Sequence, residues 1–270
     1  MKRLLFLLLV LLAAPSAAAP TRFSVEIVGT GRDVILIPGL TASKEVWRGT
    51  IAAVPGYRYH LVQVAGFAGT RARGNARGEV VAPLAEEIAD YIVAQKLRNP
   101  AIVGHSMGGT VATIVAARHP ALVGRVMIID ILPQPAGLLG ARAADLKGIS
   151  GLLRALGTTE EGRSLIDSAI RLFGDDQARN TKSDPDVVAR VTQELAVTDL
   201  TPELRRIRAP LTVLYAVADP AFAVSTDRTY ADAYAGAPGA RLVRIDRSGH
   251  MIMRDRPGKF AEALRRFLRP

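Results

Sequence analysis

The run AIVGHSMGG at residues 101–109 constrains this chain more than any other stretch. It holds Gly104-His105-Ser106-Met107-Gly108 between an apolar, strand-like lead (Ala101 to Val103) and a helix-like tail, TVATIVAAR. A serine held between a strand and a helix sits on a tight, strained turn. Small residues two before and two after it, Gly104 and Gly108, let strand and helix approach, and the hydroxyl projects from the turn as a nucleophile. G-x-S-x-G alone also recurs by chance in turns whose serine merely caps a helix; the flanking strand and helix give it meaning.

The rest of the chain supplies a scaffold for such a turn. Short apolar runs suit buried strands: Val34 to Ile37, Tyr59 to Val64, Arg125 to Leu132, Leu211 to Val217 and Ala240 to Ile245. Phe23 to Val28 alternates loosely, as a half-exposed strand does. Helical patterns lie between them. Ser43 looks like an N-cap before Val46, Trp47 and Ile51. Leu84, Ile88, Tyr91 and Ile92 share one helical face, and Phe260, Leu264, Phe267 and Leu268 share another. Strands alternating with helices predict an α/β fold with a mostly parallel sheet flanked by helices. Residues 134–198 break the rhythm: helical pieces appear at 152–156, 165–173 and 187–195, without long strand-like runs. They are read as a helical insertion between two halves of the core, 19–133 and 199–270.

The N-terminus reads as an export signal. Lys2 and Arg3 precede an unbroken apolar run over residues 4–14, then Pro15 and Ser16-Ala17-Ala18-Ala19. A bilayer span needs about 20 apolar residues, so the run is too short to be a stable membrane helix. It fits the apolar segment of a signal peptide over residues 1–18, with cleavage after Ala18 and a periplasmic or secreted product. No cysteine is present among 270 residues, which excludes a lipid-modified cysteine and any thiolate metal site. The net charge of +10 raises nucleic acid as a partner. Basic residues are spread along the chain, however, and no nucleic-acid motif appears. The cluster Arg71, Arg73 and Arg77 reads as a solvated loop, with an anion-binding rim near the site as the alternative. There is no H-E-x-x-H and no dinucleotide fingerprint, so neither a metal nor a cofactor is expected.

A serine hydroxyl needs a base, and the base needs a carboxylate to fix its tautomer. Of four histidines, His250 lies in Arg247-Ser248-Gly249-His250, a loop after a strand, at the sheet edge where open α/β folds bind ligands. His105 adjoins Ser106 but points elsewhere, His60 begins a strand, and His119 caps a helix end. Asp219, directly after Leu211 to Val217, is the expected acid. Asp130, at the end of MIID, is its rival and otherwise fixes the loop into the insertion. The oxyanion donors are expected to be the backbone N–H groups of Met107 and Leu40.

Together IPGLTASKEVW, VAGFAG, VGHSMGG, AVADP and SGHMIMRDRPGKF resemble the α/β-hydrolase superfamily over roughly residues 23–133 and 199–268. The resemblance implies Ser106 as nucleophile, Asp219 as acid, His250 as base, Leu40 and Met107 at the oxyanion hole, and the insertion as a cap over the site. Two positions depart from the family pattern. Pro38-Gly39 stands where His-Gly is usual, and Val64-Ala65-Gly66-Phe67-Ala68-Gly69 stands where Asp-x-x-Gly is frequent. The implied activity is hydrolysis of a small carboxylic ester through an acyl-enzyme. An amide, lactone or carbon–carbon bond is the alternative within the fold, and a non-catalytic ligand-binding protein is the alternative of another class.

Overall fold

The computed structural model describes residues 20–147, 159, 182–237 and 239–269. The signal segment and the helical pieces expected at 152–156 and 165–173 lie outside the described residues.

Seven strands form one sheet: β1 (Phe23–Val28), β2 (Arg32–Ile37), β3 (Tyr57–Val64), β4 (Ala101–His105), β5 (Arg125–Ile129), β6 (Leu211–Val217) and β7 (Arg241–Asp246). Their spatial order is β1-β3-β2-β4-β5-β6-β7. Only β1 runs antiparallel, pairing Phe23 with Val64 on β3; every other neighbouring pair is parallel. The mostly parallel sheet expected from the alternating pattern is therefore present.

Both faces of the sheet are covered, which explains why its central strands are apolar at nearly every position. Ile35, Ile37, Ile102, Ile128 and Val213 point to one side. There they meet α2 (Val81–Ala94) and α3 (Met107–Arg118), reached after the short α1 (Arg48–Ala53). Val34, Leu36, Val103, Met127, Ile129 and Leu214 point to the other side, against Trp47, Phe260 and Leu264. Leu84, Ile88, Tyr91 and Ile92 form the buried face of α2, as their spacing predicts. Each such side chain contributes roughly 1.5–3 kcal/mol when fully buried. Ser43 caps the 3-10 turn Lys44–Trp47 by accepting from the Glu45 N–H.

Between β5 and β6 the described residues hold the 3-10 turn Pro135–Leu139, α4 (Ala143–Lys147), α5 (Pro185–Val197) and the 3-10 turn Thr201–Arg206, and no strand. The sheet half then resumes with α6 (Ala223–Ala233), α7 (Ile252–Asp255) and α8 (Pro257–Leu268). Helix α5 is seated on the loop after β3. The Asp184 N–H donates to the Gly66 carbonyl at 2.7 Å, and the Ala68 N–H donates to Ser183 Oγ at 3.0 Å. Glu194 of α5 accepts from the Val80 and Val81 N–H groups, the unsatisfied donors at the start of α2. The segment VAGFAG is thus the seat for the start of α5. Gly66 is required there, since a Cβ would lie 2.9 Å from Val187.

Candidate active site

Ser106 joins β4 to α3 with φ 52° and ψ −123°, a region that L-residues avoid. The neighbouring glycines make this possible. A Cβ on Gly104 would lie 2.0 Å from the Gly108 carbonyl oxygen, and one on Gly108 would lie 2.3 Å from the Ile37 carbonyl oxygen. Strand, helix and the loop after β2 therefore approach more closely than any side chain allows. The Ser106 N–H donates to the Ile129 carbonyl at 2.9 Å, tying the turn to the end of β5.

The loop after β2 lies against the serine: a Cβ on Gly39 would stand 3.2 Å from Ser106 Cβ. A turn closed by the Ala42 N–H on the Gly39 carbonyl holds it. Among the described residues neither the Leu40 nor the Met107 N–H donates to a protein acceptor. Two backbone donors therefore remain on the loop and the helix start that flank the serine.

The loop that carries His250 follows β7. The Gly249 N–H donates to Asp255 Oδ2 at 2.7 Å, and the Ser248 N–H donates to the Val217 carbonyl at 3.3 Å. This brings the His250 Nδ1–H to Asp130 Oδ2 at 2.7 Å. Both side chains are about nine-tenths buried, at 12% and 11% exposure. A hydrogen bond at Nδ1 leaves the lone pair on Nε2, the tautomer a general base requires.

The carboxylate that meets His250 is Asp130, not Asp219, and this corrects the sequence expectation. Asp219 is exposed and caps the 3-10 turn Pro220–Phe222, its Oδ1 accepting from the Ala221 N–H at 2.9 Å. Asp130 instead closes β5, where register places it beside Ser106: His105 pairs with Ile129 immediately before. Its backbone is at φ 53°, and its Oδ1 accepts from the Ala216 N–H at 2.8 Å and from Tyr230 at 3.1 Å. A carboxylate this buried persists only with such partners. Adjacent parallel strands stand about 4.8 Å apart, so Ser106 and Asp130 rise side by side from one sheet edge.

His105 has a role that the sequence did not reveal. Its ring lies 4.6 Å from the His250 ring, and its Nε2–H donates to the His250 carbonyl at 2.9 Å. Burial holds it neutral, pushing its proton affinity well below the ordinary 6.5, and the nearby His250 adds to that. The other two histidines are occupied away from the serine: His60 bonds Asp33 and Tyr91, and His119 bonds Glu86.

A buried neutral histidine has a consequence for stability. Unfolding exposes His105, which then takes a proton near pH 6.5, whereas the folded chain takes none. Its folded value is depressed, so stability is unaffected above about pH 6.5 and falls as pH drops below it. The slope approaches about 1.4 kcal/mol per pH unit for one proton. Urea unfolding between pH 7 and 5 should show a steeper loss of stability in the wild type than in His105→Gln. Equal slopes would contradict it.

The sequence profile of the Alpha/beta hydrolase family matches residues 34–263, and the chain belongs to that family. Among curated relatives, a pimeloyl-[acyl-carrier protein] methyl ester esterase of Vibrio cholerae is 31% identical over 110 residues, 40% of each chain. The match thus spans about 40% of that relative's length. A second, from Aromatoleum aromaticum, is 26% identical over 245 residues, covering 81% of this chain and 90% of its own. Among solved structures, an esterase (EaEST) from Exiguobacterium antarcticum superposes with TM-score 0.72 at 20% identity, covering 93% and 97% of the two chains. The enol-lactonase from Burkholderia xenovorans LB400 gives 0.70 at 20%, covering 92% and 96%. At that identity the two structures speak for the fold alone.

Proposed function

We propose that this chain is an exported serine hydrolase that cleaves a small carboxylic ester, with Ser106 as nucleophile, His250 as base and Asp130 as acid. The observation that carries the reading is the His250–Asp130 hydrogen bond at the sheet edge, on the strand next to a serine held at positive φ. Ser106 Oγ attacks the ester carbonyl while His250 Nε2 takes its proton. The Leu40 and Met107 N–H groups receive the charge that develops on the carbonyl oxygen. His250 returns the proton to the departing alcohol, leaving an acyl-serine. Water, deprotonated by His250, then releases the acid and restores the hydroxyl. Relatives named as esterases favour the ester over other bonds.

Residues 134–198 would form the cap that shapes the acyl pocket, and α5 is anchored on the core in the manner such a cap needs. Cleavage after Ala18 would release the enzyme into the periplasm or medium.

A panel of p-nitrophenyl esters of rising acyl length, with matched anilides, lactones and a carbon–carbon diketone substrate, tests the proposal. It should be run on exported enzyme whose intact mass begins at Ala19. Ester turnover at least a hundredfold above the other classes is expected. Preferential lactone, amide or diketone cleavage would replace the substrate class. A mass retaining residues 1–18 would remove the export step.

A further inference from the structure

Asp130 is met from a second side by Tyr230, the middle ring of three stacked tyrosines. The Tyr230 ring lies 4.4 Å from Tyr215 at 16° and 6.4 Å from Tyr234 at 8°. Tyr230 and Tyr234, four apart at the end of α6, are 2% and 3% exposed. Their hydroxyls reach the same loop: Tyr230 donates to Asp130 Oδ1, and Tyr234 donates to the Ile131 carbonyl at 2.7 Å. Tyr215, on β6, turns its hydroxyl away to Asp227 at 2.7 Å, and Asp227 pairs with Arg244.

A carboxylate turns easily about its last torsion, whose minima are broad. In Asp130 that rotation decides whether Oδ2 meets His250. Two donors hold the opposite oxygen, the Ala216 N–H from β6 and the Tyr230 hydroxyl from α6. The Ala216 N–H is fixed by the sheet. The Tyr230 hydroxyl is fixed by the ring stack, which leaves the phenol no room to swing.

We infer that Tyr230 is a positioning residue for the hydrolytic site: its stacked ring holds a hydroxyl on Asp130 Oδ1 and thereby aims Oδ2 at His250. The inference rests on Asp130 being the triad acid. The sequence pattern is consistent with this duty, since a side chain chosen for packing alone needs no hydroxyl beside a buried carboxylate. Burial pushes the Tyr230 phenol well above its ordinary 10, and Asp130 adds to that, so it stays a donor across the working pH range.

Tyr230→Phe keeps the ring and the stack and removes only the donor. Among the described residues, the charged and titratable groups facing Asp130 are His250 from the loop after β7, Tyr230 on α6 and Tyr234 just after it; His250 faces His105 in turn. With one donor gone, the carboxylate holds an imidazolium more strongly. The acid limb of the kcat/KM profile, which reports the free enzyme's catalytic base, should therefore move to higher pH. A loss of about tenfold in kcat is expected, with KM within about twofold, because no substrate contact is removed. Tyr215→Phe, which strips a hydroxyl from the same stack but not from the acid, should leave both kcat and the limb at wild-type values.

Two outcomes overturn the inference while sparing the acid assignment. In one, Tyr230→Phe keeps the wild-type kcat and limb while Asp130→Asn is inactive. In the other, Tyr230→Phe loses activity only in proportion to folded protein, with the limb unmoved. An active Asp130→Asn would instead remove the acid assignment, and this inference with it.

Discussion

Ser106→Ala should lower turnover of the best ester by about a million-fold, a barrier increase of roughly 8 kcal/mol. The magnitude follows from what the turn supplies. No other described hydroxyl stands at positive φ between Gly104 and Gly108 on the strand beside Asp130. Without the oxygen there is no acyl-enzyme, and His250 has no proton to take. The Leu40 and Met107 donors would still polarise a bound carbonyl, so a residue of catalysis over water should persist. The fold should not suffer, because alanine tolerates φ 52° no worse than serine does and fills the same space to Cβ. Melting temperature serves as the control. A folded alanine variant that keeps even a tenth of the turnover would remove Ser106 from the reaction.

Asp130→Asn should cost about ten-thousand-fold in kcat, and Asp219→Asn less than twofold. Asparagine retains the shape of Asp130, so the Ala216 and Tyr230 contacts to Oδ1 can survive. What fails is the tautomer. An amide NH₂ facing Nδ1 makes that nitrogen an acceptor, puts the proton on Nε2 and leaves no lone pair for the serine; a loss near 10⁴ is typical of that fault. Asp219 loses only a cap. An exposed N-cap is worth roughly 1 kcal/mol to its turn, and asparagine caps nearly as well. Steady-state kinetics on the two purified variants separates the candidates. Equal activity of Asp130→Asn and wild type, or collapse of Asp219→Asn alone, would return the acid to Asp219.

That contrast shows where the sequence was legible. The parallel sheet was legible because Ile35, Ile102, Ile128 and Val213 sit in runs that only a strand covered on both faces explains. The strained turn was legible because Gly104 and Gly108 bracket one serine. The acid was less so. Asp130 and Asp219 both follow apolar strands, and either one falls between Ser106 and His250 in the chain. The discriminating signal was local. Asp219 precedes Pro220, and Asp-Pro is a helix-start signature, with an N-cap followed by proline in the first turn. Asp130 closes a fully apolar strand, where a lone carboxylate must find buried donors. Those donors, Ala216 and Tyr230, come from sequence far away, and no periodicity points to them. His105 was hidden for the same reason: its duty depends on the path of the loop after β7. The VAGFAG segment shows in the sequence only a departure from Asp-x-x-Gly; its partner is the start of α5, which only the fold brings near.

The most direct test of a serine hydrolase built on Ser106, His250 and Asp130 is covalent labelling. Native enzyme is treated with a fluorophosphonate, digested, and mapped by mass spectrometry. One adduct on Ser106 is predicted, formed at a wild-type rate in Asp219→Asn and slowed by orders of magnitude in Asp130→Asn. Absence of a Ser106 adduct on folded wild-type protein would contradict the account and favour a ligand-binding protein on the same scaffold.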